Sequence, residues 1–132
     1  MGYHVADAAR MEWEERAPVV EGQRPRQAAD VTGAASLKQS RARVWRYPPG
    51  TRGRRHADHA QEEVFVVLSG TLTMLLDDPP RRVDVEPGGL VAVHPGTPLQ
   101  VRNETDDEIL FFAFGAPPIH GTAEFLDDVV DA

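Results

Sequence analysis

Clusters of turn-forming residues divide the sequence after Leu37 into short segments, and this spacing constrains the fold more than any other feature. The clusters are Pro48 to Gly50, Ser69-Gly70, Asp77 to Pro80, Pro87 to Gly89 and Pro95 to Pro98. Between them lie short runs rich in Val, Leu and Phe, without helical periodicity. Short strands separated by Pro, Gly and Asp in this way predict an all-β sandwich or barrel.

Two segments give the clearest strand signals. Leu37 to Tyr47 alternates polar and apolar residues until the first proline cluster, as a half-buried strand does. Ser69-Gly70 separates two apolar runs, Val64 to Leu68 and Thr71 to Leu76, which favours a β-hairpin. We therefore expect the barrel to occupy residues 37–132.

Residues 1–36 carry no such pattern. Val5 to Arg16 is compatible with a short helix, and Glu21 to Gly33 is rich in Gly, Pro, Gln and Arg. We expect this part to form an irregular N-terminal arm that packs on the barrel.

The composition argues against several classes of protein. The 132 residues contain no cysteine, which excludes disulfides and thiolate metal sites. No segment approaches the ~20 apolar residues of a membrane span, and the N-terminus lacks the charged-then-apolar order of a signal peptide. The net charge of −7 argues against nucleic acid as the main partner. We expect a single-domain cytoplasmic protein with no nucleic-acid or membrane partner.

Positive charge is concentrated in one segment despite the acidic total. Lys38 to Arg55 carries seven cations and no acidic residue, and all 21 acids lie in the rest of the chain. This segment is either a solvated strand face or a rim that attracts an anionic ligand to a pocket. The sequence leaves both interpretations open.

The residues best suited to chemistry lie between His56 and Glu63, directly ahead of an apolar run. His56 and Asp58 are two residues apart and share one face of a strand, whereas Glu63 belongs to the next strand. His59, four residues before Glu63, is a candidate substitute. An imidazole close to two carboxylates can bind a divalent metal or transfer a proton, or the groups can simply satisfy one another in a buried pair.

The spacing around these residues resembles a known family. Gly50-x5-His56-x-Asp58-x4-Glu63-x6-Gly70 resembles the first motif of the cupin superfamily, and Pro87 to Gly89 followed by Pro95 to Asn103 resembles the second. The resemblance covers roughly residues 42–115. It implies a double-stranded β-helix, that is, a small jelly-roll barrel of all-β class.

The resemblance also implies a metal site, which this sequence alters. Cupins typically hold a metal with two His and a Glu from the first motif and a His from the second. Here His56 and Glu63 occupy ligand positions, Asp58 replaces the second His, and Leu99 replaces the last His. The resemblance therefore implies either a divalent metal (Mn, Fe, Zn or Ni) on His56, Asp58 and Glu63, or a barrel with weak or absent metal binding. If the strand face that bears them is internal, the pocket wall is formed by Arg43, Trp45, Tyr47, Phe65 and Leu99.

Three functions follow from these alternatives. The first is a module that binds a small, anionic molecule in an apolar pocket. The second is a metal-dependent cupin enzyme, a dioxygenase or isomerase that uses His56, Asp58 and Glu63. The third is metal-free acid–base isomerisation or epimerisation by His56 and Glu63. Whether the chain is an enzyme stays open at this point. By the same resemblance we expect a homodimer formed through the outer face of one sheet.

Overall fold

The computed structural model describes residues 2–129, and nearly all of its regular structure is β. The strands are β1 (Trp13–Arg16), β2 (Arg26–Asp30), β3 (Arg41–Tyr47), β4 (His56–Asp58), β5 (Glu62–Ser69), β6 (Leu72–Leu76), β7 (Arg81–Val85), β8 (Leu90–Val93), β9 (Leu99–Arg102), β10 (Ile109–Ala116) and β11 (Ala123–Phe125). The helical elements are a 3-10 turn, Ala8–Arg10, and helix α1 (Val31–Ala34). No helix within residues 2–129 has the length and apolar character that crossing a membrane requires.

The strands form two antiparallel sheets that face each other. The first has six strands in the order β1-β2-β3-β10-β5-β8, and the second has five in the order β11-β4-β9-β6-β7. Successive strands after β3 alternate in part between the sheets, which is the pattern of a double-stranded β-helix. The fold class predicted from the turn spacing and the motifs is therefore confirmed.

The core lies between the inner faces of the two sheets. Its buried members are Tyr47, Phe65, Val67, Leu72, Met74, Val93, Leu99, Val101, Ile109 and Phe111. They come from alternate positions of their strands, as the two-residue period of a strand requires. Burial of this apolar surface is the main favourable contribution to the free energy of folding.

The turn at Ser69-Gly70 does not form the predicted β-hairpin. β5 pairs with β10 and β8, whereas β6 pairs with β7 and β9 in the opposite sheet. Gly70 has φ of 78°, and a Cβ there would come within 2.7 Å of Cγ2 of Ile109. The turn therefore carries the chain from one sheet to the other against the packed side chain of Ile109, where only glycine fits.

The N-terminal residues contain more regular structure than the sequence predicts. The helix predicted from Val5 to Arg16 is wrong, because β1 occupies its second half and only a 3-10 turn precedes it. The expected loop from Glu21 to Gly33 contains β2 and the start of α1. β2 pairs with β3, with Ala28 opposite Trp45 and Asp30 opposite Arg43, so the arm extends the six-stranded sheet.

Candidate functional site

The space between the sheets opens into a cavity of about 710 Å³. Its walls come from the inner faces of both sheets and from the extension that β1 and β2 add. The five residues predicted from the sequence as a pocket wall all line it, namely Arg43, Trp45, Tyr47, Phe65 and Leu99. Tyr47, Phe65 and Leu99 are almost fully buried and belong to the core, so the floor of the cavity is the apolar core itself.

His56 and Glu63 meet across the two sheets at the cavity wall. Nε2 of His56 on β4 lies 3.4 Å from Oε1 of Glu63 on β5, and about a fifth of each side chain is exposed. Nδ1 of His56 lies 3.1 Å from the carbonyl oxygen of Arg54. Because a carbonyl only accepts hydrogen bonds, Nδ1 carries a hydrogen and Nε2 is the nitrogen directed at Glu63.

This geometry favours the protonated imidazole. Burial by itself lowers the pKa of His56, but the hydrogen bonds to Glu63 and to the Arg54 carbonyl outweigh it, together with the charges of Glu63 and Asp58. The net effect raises the pKa of His56 above its usual value. The pair can therefore hold one proton between an imidazole and a carboxylate at the edge of the cavity.

Asp58 lines the cavity, but its carboxylate already accepts hydrogen bonds from the protein. Its Oδ1 accepts hydrogen bonds from the backbone N–H groups of Ala60 and Gln61 and from Oγ1 of Thr122, at 3.0, 2.8 and 2.8 Å. Burial raises the pKa of Asp58, but these three hydrogen bonds and the nearby His56 lower it overall. Asp58 thus fixes the connection between β4 and β5 that sets the position of Glu63.

Leu99 places hydrocarbon beside the imidazole. It is the direct cross-strand partner of His56 and is 1% exposed. A side chain at this position lies next to His56 on the cavity wall, and here it offers no donor atom.

The model of the Cupin domain matches residues 43–115, more than half of the chain. The chain belongs to the cupin family. No protein with a curated description matches this cupin significantly.

Solved structures share the fold of this cupin at low sequence identity. The polyketide cyclase RemF from Streptomyces resistomycificus has a TM-score of 0.76 and 16% identity, over 95% of this chain and 86% of that one. A sugar phosphate isomerase from Silicibacter pomeroyi has a TM-score of 0.70 and 24% identity, over 83% and 73%. A predicted oxalate decarboxylase from Thermotoga maritima has a TM-score of 0.73 and 16% identity, over 86% and 98%. These neighbours are of cyclase, isomerase and decarboxylase type, and at such identities they show the fold alone.

The donors present do not fit a metal centre of the kind that many cupins hold. Within residues 2–129, no three His, Asp or Glu side chains form a group able to bind a metal ion. His56 and Glu63 supply two donors, Oδ1 of Asp58 already accepts three hydrogen bonds from the protein, and Leu99 offers no donor atom. We therefore assign no chemical step at His56 and Glu63 to a metal ion.

The alternative histidine does not join this pair. His59 is 55% exposed, its Nε2 lies 3.2 Å from Oε1 of Glu124, and it does not line the cavity. His94, in the turn before β9, is exposed and lies 3.8 Å from Glu62. Both histidines sit on the surface rather than beside His56.

Sequence reasoning missed the contributions of the arm to the cavity. Glu14 and Arg16 on β1 and Arg26 and Asp30 on β2 line it, as does His120 near the C-terminus. In β1 and β2 the residues that face the cavity alternate with residues that face outward, as in any strand. Each of these strands is too short for this two-residue period to be recognised in the sequence.

Proposed function

We propose that this cupin binds a small organic molecule in the cavity between its sheets. One observation carries the proposal: a cavity of about 710 Å³ with an aromatic and aliphatic floor and an imidazole–carboxylate pair at its wall. Ligand pockets typically measure roughly 300–1,000 Å³ and combine apolar walls with a few convergent polar groups. The cavity of this chain has both properties.

The charge on the wall supports an anionic ligand. Of the cationic segment from Lys38 to Arg55, the residues Arg41, Arg43 and Arg54 line the cavity. Among the described residues, the whole lining holds five arginines and four carboxylates, so it is less acidic than a chain with a net charge of −7. This favours the interpretation of the segment as an anion-attracting rim over that of a solvated face.

A library of small metabolites tests the proposal directly. Two-dimensional 15N NMR of the uniformly labelled protein would report binding at low affinity. We expect compounds that bind to shift resonances of Trp45, Phe65 and Leu99, and carboxylates or phosphates to predominate among them. Binding confined to the outer surface, or no binding by any member of a broad library, would contradict the proposal.

A second candidate function is metal-free acid–base catalysis, favoured by the contact between His56 and Glu63. One member of such a pair can remove a proton from the carbon beside a carbonyl group while the other gives a proton to the carbonyl oxygen. In an α-hydroxy carbonyl ligand, the reverse transfers at the neighbouring carbon and hydroxyl group complete the isomerisation. Once a ligand is found, His56→Gln and Glu63→Gln should keep its affinity within a few-fold and abolish its conversion. A ligand that stays unchanged with the wild-type protein would leave binding as the whole function.

The metal-dependent alternative has less support, because no group of three donors converges within residues 2–129. Elemental analysis of untagged protein is the matching measurement. We expect far less than one equivalent of Mn, Fe, Zn or Ni per chain. A stoichiometric metal would contradict the assignment of the cavity to metal-free binding.

We also propose a cytoplasmic homodimer formed through the outer face of the six-stranded sheet. Val66 and Phe112 lie side by side on adjacent strands of this face and are partly exposed, and Leu68 and Leu90 beside them are 48% and 60% exposed. A second copy would remove this apolar surface from water in an isologous contact.

We expect light scattering at micromolar concentration to give twice the mass of the chain, and Phe112→Glu to give a monomer. Val19→Glu, in the β1–β2 connection, is the control that should stay dimeric, and a monomeric wild type would refute the proposal.

A further inference from the structure

Two guanidinium groups lie close to the indole of Trp45 on the cavity wall. The Arg26 guanidinium carbon is 5.3 Å from the ring centre, and that of Arg43 is 5.9 Å away. Arg26 lies on β2 and Arg43 and Trp45 on β3, and all three line the cavity. Cations at this distance from an aromatic ring are held by its quadrupole.

Among residues 2–129, neither the guanidinium of Arg26 nor that of Arg43 forms a direct ion pair with a carboxylate. The charges of Asp30 and Glu14 act on Arg43 from a distance. Arg26 donates to Oη of Tyr47 at 3.2 Å and to the carbonyl of Ala17 at 3.4 Å. Its Nε is buried and has no hydrogen-bond partner in the part of the chain described. A buried N–H without an acceptor is costly, so an acceptor supplied by a ligand would remove that cost.

The acids of the same wall are committed elsewhere. Oε2 of Glu14 lies 3.4 Å from Nη1 of Arg16. Asp30 is the N-cap residue of α1, and its Oδ1 accepts a hydrogen bond from the backbone N–H of Gly33 at 3.2 Å. Burial lowers the pKa of Arg43, and the neighbouring charges of Arg16 and Arg41 lower it further, against a partial opposing effect of Asp30 and Glu14. The positive charge at this wall is therefore held in an unfavourable setting, which an anion would relieve.

We propose that Arg26 and Arg43 bind the oxyanion group of the ligand, a carboxylate or a phosphate, against the indole of Trp45. The inference rests on the proposed function and deepens it, since it assigns the charged end of the ligand to one wall of the cavity. The guanidinium fork matches the oxygens of both groups, and hydrogen bonds between two charged partners are stronger than neutral ones. The body of the ligand then extends over the apolar floor toward His56 and Glu63.

Part of this subsite lies outside the region that the family shares. The Cupin domain match begins at residue 43, so β1 and β2 precede it. The cupin barrel forms most of the cavity, and the N-terminal arm adds Arg26, which selects for an anionic ligand.

The test uses three small aromatic probes of similar size: benzoate, phenyl phosphate and benzyl alcohol. The reporter is the indole N–H resonance of Trp45 in 15N-labelled protein. Trp13 provides an internal control, because its ring packs under Arg46 on the outer face of the sheet. We expect at least one of the two anions to shift the Trp45 resonance at lower concentration than benzyl alcohol does, with Trp13 unaffected. The anion that binds more tightly distinguishes carboxylate from phosphate.

Arg26→Gln and Arg43→Gln should each weaken binding of that anion by about tenfold to a hundredfold and leave binding of benzyl alcohol unchanged. Arg46→Gln is the matched control, since Arg46 lies on the same strand with its side chain on the opposite face. It should bind all three probes as the wild type does. Using two independent variants guards against one that fails to fold.

The outcomes separate this proposal from the one on which it rests. If benzyl alcohol shifts Trp45 as strongly as both anions do, or if the two Arg→Gln variants bind the anions as the wild type does, the anion subsite is refuted and the cavity remains a binding site. If no probe shifts Trp45 and no member of the metabolite library binds in the cavity, both proposals fail.

Discussion

A group of buried polar side chains on the five-stranded sheet and a group of half-buried ones at the cavity differ in how many hydrogen-bond partners the chain gives them. On the outer face of the five-stranded sheet, Arg102 donates from Nε to Gln100 at 2.9 Å, and Gln100 donates to the carbonyl of Gly53 and to Asp128. At the cavity, Arg43 has no acceptor within residues 2–129 and Nε of Arg26 has none either. A polar group that is buried and paired within the chain supports the fold, whereas one left without a partner at a cavity points to a ligand.

Asn103 shows what a paired group does. Its Nδ2 donates to the carbonyls of Tyr47 and Asp107 at 2.9 and 2.7 Å, and its Oδ1 accepts from the backbone N–H and from Oγ1 of Thr105. It occupies a position of the second cupin motif, yet every bond it makes is to this chain. We assign it to the structure of the loop that follows β9.

The largest effect is expected from removing this paired group. Asn103→Ala removes four hydrogen bonds, including the one to the buried carbonyl of Tyr47, and we expect it to reduce the free energy of unfolding by roughly 2–4 kcal/mol. Urea unfolding followed by fluorescence measures the change. Asp106→Ala, an exposed neighbour, should change it by less than about 0.5 kcal/mol. A similarly small effect of Asn103→Ala would mean that these hydrogen bonds contribute little.

The second prediction converts the cavity into a metal site. Leu99→His places an imidazole directly opposite His56, so a third donor joins His56 and Glu63. We expect affinity for Zn²⁺ to rise by at least about 10–100-fold, the scale of change associated with lesser alterations around a metal. Isothermal titration with Zn²⁺ measures it.

Val101→His is the matched control for that substitution. Val101 lies two residues further along the same face of β9 and also lines the cavity, but it is opposite Met74 rather than His56. It should gain little affinity. Equal gains in both variants, or none in either, would contradict the placement of His56, Glu63 and residue 99 around one point.

The smallest effect concerns pH. Because the pKa of His56 is raised in the folded state, its contribution to stability is fully present below about pH 6.5, the usual value for histidine, and is lost as the pH rises through the folded pKa. We expect the free energy of unfolding to decrease over that range in the wild type. Urea unfolding at several pH values, with NMR titration of the His56 ring, would show it.

Glu63→Gln is the control for the pH prediction, because it removes the charge that His56 faces and keeps the shape of the side chain. In this variant the His56 pKa should move down and most of the pH dependence should disappear. An unchanged His56 titration would show that the contact with Glu63 does not set the protonation state.

The sequence allowed the fold to be predicted because its main evidence is local. Turn clusters end each strand, and the two motifs fix the order of strands from β3 to β10. The failures have a common cause in contacts between distant parts of the chain. Ser69-Gly70 has the local sequence of a hairpin turn, and nothing nearby in the sequence reveals that β6 pairs in the opposite sheet. Asp58 has the spacing of a metal ligand, but its carboxylate accepts a hydrogen bond from Thr122, which lies 64 residues away in the sequence.

The site was less accessible to prediction for the same reason. The structure places His56 beside Glu63, and the role of that pair stays a prediction. β2 pairs with β3 and β1 pairs with β2, so the position of Arg26 beside Trp45 depends on contacts between segments and has no signal in the local sequence.

A crystal structure of the protein with the tightest-binding compound from the library screen would show where the ligand and its charged group lie. We expect density inside the cavity, with an oxyanion within hydrogen-bond distance of Arg26 or Arg43 and the body of the molecule over Phe65 and Leu99. A compound bound on the outer surface, or one inside the cavity with its charged group away from both arginines, would contradict this expectation.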